Sequence, residues 1–241
     1  MKAIILAAGR GSRMKGWTQD LPKTMLALRG ISLLQRQVST LREAGITEIA
    51  VVTGYLKDKI QANGLTHRFE NVRWAETNMV RSLMEADAWL SQEQCIIGYG
   101  DIFYDPSGPR ALMETDADIA ITYDVNFWEL WSQRLADPLS DLENFKIDAL
   151  GTVTDIGGRA QSREEIQGQY MGLLMTRPAG WLTIKKFLGS QAEMALDKMD
   201  MTTLLKALIG AGIAIKGVPY RDVWGEADTP EDLEVYNASY A

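Results

Sequence analysis

The feature that most limits what this chain can fold into lies at its start, where an apolar run ends abruptly in a glycine loop. Ala3 to Ala8 are all apolar, which is typical of a central strand buried on both faces, so we predict a strand over Lys2–Ala8. A helix is predicted over Leu33–Ala44, with Ser32 as its N-cap, and the next strand over Glu48–Thr53. This order of strand, loop, helix and strand predicts an α/β fold with one doubly wound, mostly parallel sheet.

The rest of the chain continues the alternation of short apolar runs and amphipathic segments. Further strands are predicted over Val72–Ala75, Cys95–Gly98, Asp118–Tyr123, Gly168–Met175 and Ile213–Val218, helices over Met79–Leu90 and Thr202–Leu208, a hairpin over Phe145–Ile156 and a last helix opening at Thr229-Pro230. No repeat, low-complexity stretch or linker interrupts this pattern. We therefore expect one domain spanning residues 1–241.

Composition excludes several classes of protein. The formal charge is −7, from 25 Lys and Arg against 32 Asp and Glu, and no basic stripe is present, so we expect no nucleic-acid partner. No apolar run approaches the length of a membrane span, and the one at the start is too short for a signal peptide. Cys95 is the only cysteine and lies in an apolar run, so we interpret it as a buried thiol. Without a disulfide framework or a membrane segment, the protein is expected to be cytoplasmic.

The loop after the first strand has the chemistry of a phosphate site. Gly9 and Gly11 let backbone N–H groups approach a ligand, and Arg13 and Lys23 add positive charge. The loop is neither a Walker loop nor a three-glycine dinucleotide fingerprint, because Met14 stands where the third glycine would be. On the two glycines alone, a tight turn with solvated cations is the better interpretation.

A longer pattern makes the loop more specific. Leu6-Ala7-Ala8-Gly9-Arg10-Gly11-Ser12-Arg13-Met14, followed by Pro22-Lys23, resembles the signature of the nucleotidyltransferases that activate sugar phosphates and phosphocholine. Gly98-Tyr99-Gly100-Asp101 stands where that family has its metal-binding aspartate, and the segment from Trp224 to Thr229 stands where it has a second acidic cluster. The resemblance implies a Rossmann-like fold and transfer of a nucleoside monophosphate to a phosphorylated acceptor, with Mg²⁺ and release of pyrophosphate.

The resemblance also implies roles for individual residues. The implied catalytic residues are Arg13, Lys23 and Lys146, the implied metal ligands are Asp101, Glu226 and Asp228, and the implied nucleotide-binding residues are Leu6, Ala7, Ala8, Gly9, Arg10, Gly11, Ser12, Asn78, Ser82 and Tyr99. Asp101 directly follows an apolar strand, at the end of the sheet where α/β proteins bind ligands. Lys146 could instead be a solvated strand lysine, and Asn78 a helix cap.

The residues also bear on how the reaction proceeds. His67 is the only histidine and lies in a polar stretch, so we interpret it as a surface residue and expect no Ser-His-Asp or histidine–metal site. None is needed, because a phosphomonoester with a second pKa near 6 is already mostly dianionic at neutral pH and can act as the nucleophile. Catalysis then consists of alignment and charge neutralisation.

The acceptor is suggested only by the segment after Tyr123. Trp128 and Trp131 are three residues apart, hence on one face of a helix, and with acidic neighbours they could bind an ammonium group through cation–π contact or could belong to the core. Glu165 and Gln169 lie in a segment that resembles a CTP-using subgroup acting on phosphocholine, aminoethylphosphonate or phosphorylated amino-acid-like acceptors. We therefore expect CTP and an amine-bearing phosphorylated acceptor as partners.

Three other interpretations and one question of assembly stay open at this stage. A sugar 1-phosphate could be the acceptor, and more remote alternatives are a dinucleotide-binding oxidoreductase and a non-catalytic nucleotide-binding module. The missing third glycine counts against the oxidoreductase, and the retained Lys23, Asp101 and Asp228 count against an inactive module. A homodimer is one assembly that the sequence leaves open.

Overall fold

A computed structural model describes residues 1–239 of the chain. Its strands are β1 (Lys2–Ala7), β2 (Ala27–Leu28), β3 (Ile31–Ser32), β4 (Ile49–Thr53), β5 (His67–Glu70), β6 (Cys95–Tyr99), β7 (Ile102–Tyr104), β8 (Ile119–Asp124), β9 (Glu143–Ile147), β10 (Val153–Arg159), β11 (Gln169–Thr176), β12 (Lys216–Tyr220) and β13 (Trp224–Glu226). Its α-helices are α1 (Leu33–Glu43), α2 (Met79–Met84), α3 (Asp87–Leu90), α4 (Ser107–Glu114), α5 (Phe127–Arg134), α6 (Pro178–Leu188), α7 (Glu193–Lys198), α8 (Met201–Gly210) and α9 (Pro230–Ser239).

The centre of the fold is a seven-stranded sheet in the order β12-β8-β11-β6-β1-β4-β5. Strand β1 runs parallel to both of its neighbours, β4 and β6, and the pairs β4–β5 and β8–β12 are also parallel. Strand β11 alone runs antiparallel, between β6 and β8. The prediction of an α/β fold with a mostly parallel, Rossmann-like sheet is confirmed.

Both faces of this sheet are buried, which explains why β1 is apolar from Ala3 onward and β4 is apolar from Ile49 to Val52. Successive side chains of a strand point to opposite faces. Ile5 accordingly packs on one side with Leu34 and Val38 of α1, while Ile4 and Leu6 pack on the other side with Val52. Helix α1 begins as predicted, because the Ser32 hydroxyl accepts a hydrogen bond from the Gln35 N–H at 3.2 Å.

Two of the predicted elements are wrong. The strand predicted over Val72–Ala75 is a turn, and the strand is β5 instead. The Asn71 side chain accepts a hydrogen bond from the Arg73 N–H at 2.9 Å, which bends the chain, and Val72 is left 76% exposed.

The single helix predicted over Met79–Leu90 is two helices, α2 and α3. The break falls at Ala86, where φ is −91° and ψ is 16°. The start of α3 is anchored to α6, because the Asp87 carboxylate accepts a hydrogen bond from the Trp181 indole N–H at 2.6 Å.

Other elements agree with the sequence. Strands β9 and β10 form the predicted hairpin, paired antiparallel. Helix α9 begins after Thr229, whose hydroxyl accepts a hydrogen bond from the Asp232 N–H at 3.3 Å. Among the described residues, none of the helices is both long and apolar enough to cross a membrane.

Candidate active site

The loop that follows β1 leaves backbone N–H groups available to a ligand. Among the described residues, the N–H groups of Gly9, Arg10 and Gly11 donate no hydrogen bond. Gly9 is exposed, and a Cβ there would meet nothing within 4 Å, so its surface is open. Gly11 has a φ of +67°, and a Cβ there would lie 2.8 Å from the Cβ of Lys23. Glycine at position 11 therefore allows both the turn and the close approach of the lysine.

Lys23 lies below this loop and is only 8% exposed. Its Nζ donates to Asp101 Oδ2 at 2.6 Å and to Asp228 Oδ1 at 2.7 Å. Burial by itself lowers the pKa of Lys23, but the negative charges of Asp101 and Asp228 outweigh burial and raise the pKa above its usual value. The lysine is therefore a fixed positive charge at neutral pH.

The sheet topology brings the two aspartates together from opposite ends of the sequence. Asp101 follows β6 directly, and Gly100 before it packs so closely that a Cβ would lie 2.7 Å from the carbonyl oxygen of Leu6. Strand β7 then pairs with β13, and the Ala227 N–H donates to the Asp101 carbonyl oxygen at 3.0 Å. This pairing places Glu226 and Asp228 beside Asp101.

The carboxylates of Asp101, Glu226 and Asp228 form a cluster whose oxygens lie within 4.8 Å of one another. Desolvation, with the charges of Asp228 and Asp101, raises the pKa of Glu226 well above its usual value. Among the described residues, the buried Oδ1 of Asp101 has no hydrogen-bond partner. An unsatisfied, buried carboxylate oxygen in a set of hard oxygen ligands fits a divalent cation such as Mg²⁺. These are the three residues predicted as metal ligands.

A loop cavity and an acidic cavity are each lined by members of this cluster, and a small cavity lies beside the loop cavity. The loop cavity, of about 250 Å³, is lined by Leu6, Ala7, Gly9, Gly11, Ser12, Arg13, Lys23, Thr24, Met79, Tyr99, Gly100 and Asp101. The acidic cavity, of about 220 Å³, is lined by Arg13, Met79, Tyr99, Trp131, Asp141, Glu143, Gln169, Tyr170, Gly172, Asp200, Met201, Thr202, Glu226 and Asp228. The small cavity, of about 90 Å³, is lined by Leu6, Ala8, Gly9, Trp74, Thr77, Asn78, Met79 and Ser82. The loop cavity shares Arg13, Met79 and Tyr99 with the acidic cavity, and Leu6, Gly9 and Met79 with the small cavity, so the three are neighbours.

The small cavity is lined by Asn78 and Ser82, two of the predicted nucleotide-binding residues. The Asn78 side chain caps α2, accepting from the Met79 N–H at 2.8 Å, and it also donates to the Lys198 carbonyl at 3.2 Å. The capping role considered for Asn78 is therefore present. Ser82 is 6% exposed and reaches the cavity from the next turn of the helix.

The acidic cavity receives only part of the predicted acceptor site. Trp131, 4% exposed, lines it and donates from its indole N–H to Asp141 at 2.9 Å. Gln169 also lines the cavity, and its amide nitrogen donates to the Glu143 carbonyl. Trp128 and Glu165 line none of the three cavities.

The remaining predicted residues lie at the edge of the site or outside it. The Trp128 ring packs under the Arg163 guanidinium, 5.0 Å from its centroid, and Glu165 is exposed. Lys146 is an exposed residue of β9 that also lines none of the three cavities. Arg10 lies outside them too, with its guanidinium over the Tyr55 ring at 5.6 Å. The roles predicted for these residues stay predictions.

Sequence reasoning missed several residues that line or support the site. Glu143 and Asp200 contribute carboxylates to the acidic cavity, and desolvation with the charges of Asp200 and Asp141 raises the pKa of Glu143. Asp200 is the N-cap of α8, where its carboxylate accepts a hydrogen bond from the Thr203 N–H at 2.7 Å. An aspartate at such a position indicates the start of a helix and does not indicate a ligand site. Trp74 gave no signal of such a site, because it lies in the turn that was predicted as a strand, and Asn71 directly precedes that segment and belongs to no motif.

A loop with free backbone N–H groups, a buried lysine and three converging carboxylates define the site of a nucleotidyltransferase. Comparison with known proteins agrees. A family profile described as MobA-like NTP transferase domain matches residues 3–151. The chain is 34% identical, over 98% of both proteins, to the CTP:phosphoglutamine cytidylyltransferase of Campylobacter jejuni. The chain therefore belongs to the MobA-like NTP transferase family.

Other relatives are more distant or cover less of the chain. The 2-aminoethylphosphonate cytidylyltransferase of Lancefieldella rimae is 34% identical over 42% of each protein. The inositol-1-phosphate CTP transferase of T. maritima superposes with a TM-score of 0.72 and 19% identity, covering 98% of this chain and 94% of that one. At that identity the likeness shows a shared fold.

Proposed function

We propose that this protein is a Mg²⁺-dependent cytidylyltransferase, acting as one domain over residues 1–241. It transfers CMP from CTP to a small phosphorylated acceptor that carries an ammonium group, and it releases pyrophosphate. The observation that carries the proposal is the acidic cavity, which opens directly beside the Lys23–Asp101–Asp228 cluster and shares Arg13 with the loop cavity.

The reaction is an in-line displacement at the α-phosphorus of CTP. An oxygen of the acceptor phosphate forms the new bond to phosphorus, and the bond from phosphorus to the oxygen bridging the α- and β-phosphates breaks. Pyrophosphate leaves with the electron pair of that bond. No general base is required, because the acceptor phosphate is already mostly dianionic at neutral pH.

The residues of the loop cavity supply the charge neutralisation that this displacement needs. The free N–H groups of Gly9 to Gly11 bind phosphate oxygens, and Lys23 and Arg13 place positive charge beside the reacting phosphates. Asp101, Glu226 and Asp228 would hold Mg²⁺, which supplies Lewis-acid neutralisation of the phosphates when bound. Lys23 keeps its charge throughout, since its neighbours hold its pKa above the usual value.

The charge of the acidic cavity supports a cationic acceptor. Asp141, Glu143 and Asp200 line it, and Arg13 is its only cationic lining residue among those described. An ammonium group gains charge-assisted hydrogen bonds there, whereas a neutral sugar gains only ordinary ones. The name of one relative supports the same class, because the 2-aminoethyl group of 2-aminoethylphosphonate is an ammonium at neutral pH.

The test is pyrophosphate release by the purified protein with Mg²⁺. Each of CTP, UTP, GTP, ATP and dTTP is paired with phosphocholine, 2-aminoethylphosphonate, an O-phosphorylated amino acid and glucose 1-phosphate. We expect turnover with CTP and an amine-bearing acceptor. Preference for glucose 1-phosphate would refute the acceptor class, and preference for another nucleotide would refute the cytidylyltransferase.

A further inference from the structure

Gln37 lies on the buried face of α1, where the other buried residues are apolar. Its side chain is 0% exposed, and the buried positions of this helix are Leu33, Leu34, Gln37, Val38 and Leu41. The Oε1 atom of Gln37 is buried and has no hydrogen-bond partner among the described residues. A buried amide with an unsatisfied oxygen is unfavourable for folding, so a polar side chain at this position indicates a further role.

The hydrogen bond that Gln37 makes lies at the end of β6. Its Nε2 donates to the carbonyl oxygen of Tyr99 at 2.9 Å. A carbonyl oxygen can only accept, so the nitrogen end of the amide is the end that faces it. The oxygen end lies beside Gly98, where a Cβ would be only 3.0 Å from Gln37 Oε1. Glycine at position 98 therefore leaves room for the amide next to the strand.

This hydrogen bond completes the support of one peptide group, the one between Tyr99 and Gly100. The Gly100 N–H, at the other side of that group, donates to the Leu6 carbonyl oxygen at 2.9 Å. The carbonyl is thereby held by α1 and the N–H by β1. Asp101 follows directly, and the glycine before it offers little resistance to rotation of the peptide group. Loss of the Gln37 hydrogen bond would therefore loosen the backbone that presents the Asp101 carboxylate.

We propose that Gln37 is a positioning residue that orients Asp101 as a metal ligand. The inference rests on the proposed function, in which Asp101, Glu226 and Asp228 hold Mg²⁺. Gln37 lines none of the three cavities, so it acts through the peptide group after Tyr99. Asp101 Oδ2 is held by Lys23, whereas the buried Oδ1 has no partner among the described residues. The direction of Oδ1 therefore depends on the backbone as well as on Lys23.

The decisive measurement is the dissociation constant of Mn²⁺, a substitute for Mg²⁺ at carboxylate sites that electron paramagnetic resonance detects directly. It is measured on the purified protein without nucleotide or acceptor. Gln37→Met keeps the length of an unbranched side chain and removes the donor. We expect this variant to bind Mn²⁺ about tenfold more weakly, the lower end of the range for residues that support a metal ligand. The Mg²⁺ concentration for half-maximal pyrophosphate release should rise by a similar factor.

Thr40→Val is the matched control, because Thr40 lies about one turn further along α1 and donates to the Tyr104 carbonyl oxygen at 3.2 Å. Both variants remove one donor between α1 and the segment of β6 and β7, so their melting temperatures should fall by similar amounts. Tyr104, however, lies at the far end of β7, which pairing with β13 holds independently. Only Gln37→Met should lose Mn²⁺ affinity. Equal losses in the two variants would overturn the inference, because they would reduce the role of Gln37 to general stability.

The remaining outcomes separate this inference from the proposed function. A parent that binds Mn²⁺, with an unchanged dissociation constant in Gln37→Met, would overturn the inference alone. A parent that binds no Mn²⁺, or whose Mn²⁺ binding survives Asp101→Asn unchanged, would overturn the proposed metal site and the inference with it. If Gln37→Met does not fold, Gln37→Leu takes its place, since leucine is also apolar and lacks a donor. An unchanged dissociation constant in Gln37→Leu would likewise overturn the inference.

Discussion

Replacing Lys23 by methionine removes one charge from the centre of the site and keeps the shape of the side chain. The change leaves Asp101 and Asp228 facing each other without the ammonium that contacts both, at 2.6 and 2.7 Å. Removing one partner of a buried ion pair costs about 3 to 5 kcal/mol of unfolding free energy. In a chain of this size, each kcal/mol of lost unfolding free energy lowers the melting temperature by roughly 2 to 4 °C. We therefore expect the melting temperature of the variant, measured in EDTA, to fall by about 6 to 20 °C.

Magnesium should separate the structural role of the lysine from its catalytic one. In Lys23→Met, a divalent cation bound by the three carboxylates neutralises the negative charge that Lys23 neutralises in the parent. Added Mg²⁺ should therefore raise the melting temperature of Lys23→Met more than that of the parent. Turnover should not recover, because the lost charge also stabilises the transition state. The loss of kcat should be about 10² to 10³-fold, as for other single electrostatic contacts.

Differential scanning fluorimetry with and without Mg²⁺ measures the first effect, and pyrophosphate release at saturating substrates measures the second. Lys57→Met is the matched control, since Lys57 pairs with Glu70 on the surface, and its melting temperature should stay close to that of the parent because an exposed ion pair adds little stability. An unchanged melting temperature of Lys23→Met in EDTA would contradict the structural role of the lysine. A kcat within a few-fold of the parent's would contradict its catalytic role. A raised KM with unchanged kcat would reassign Lys23 to ground-state binding.

Four further substitutions probe a candidate metal ligand, the acidic cavity and the two tryptophans. Asp101→Asn should keep the fold and lose several kcal/mol of transition-state stabilisation, about 10³-fold in kcat, and near-parent turnover would exclude Asp101 as a ligand. Glu143→Gln should raise the KM of a cationic acceptor about tenfold or more and spare the KM of CTP, and an unchanged acceptor KM would remove Glu143 from the site. Trp131→Ala should cost about 3 to 5 kcal/mol in thermal unfolding, because the ring is buried, whereas Trp128→Ala should cost less. Equal melting temperatures for the two variants would contradict that difference.

The half of the site that follows β1 and β6 was predictable because its signals are local. A buried strand, a glycine loop and a lysine with a fixed spacing lie within residues 2–23, and Asp101 directly follows its strand. Parallel strands deliver such segments to one edge of the sheet, so the sequence predicts their meeting without any long-range information. The α/β class followed from the same local patterns.

The acceptor half was predicted only in part, because it depends on contacts between distant segments. Asp141, Glu143 and Asp200 reach one cavity through the β9 hairpin and the start of α8, and no spacing in the sequence relates these positions. Trp128 and Trp131 share a helix, yet only Trp131 reaches the cavity, since the angle at which α5 packs is set by tertiary structure. The false strand at Val72 has a different, local origin, because the Asn71 side chain accepts a hydrogen bond from the Arg73 N–H and turns the chain despite its apolar residues.

One buried ion pair contacts both the segment that carries Asp228 and a wall of the acidic cavity. The Arg134 Nε donates to Asp232 Oδ1 at 2.8 Å, with both side chains at most 5% exposed. Asp232 Oδ2 in turn accepts from the Asp228 N–H at 3.0 Å, so it orients the loop that carries a metal-ligand candidate. The same guanidinium lies 5.0 Å from the centroid of the Trp131 ring, which forms a wall of the acidic cavity. A change at Arg134 is therefore expected to disturb both the loop that carries Asp228 and the Trp131 wall of the acidic cavity, although Arg134 lines neither the loop cavity nor the acidic cavity.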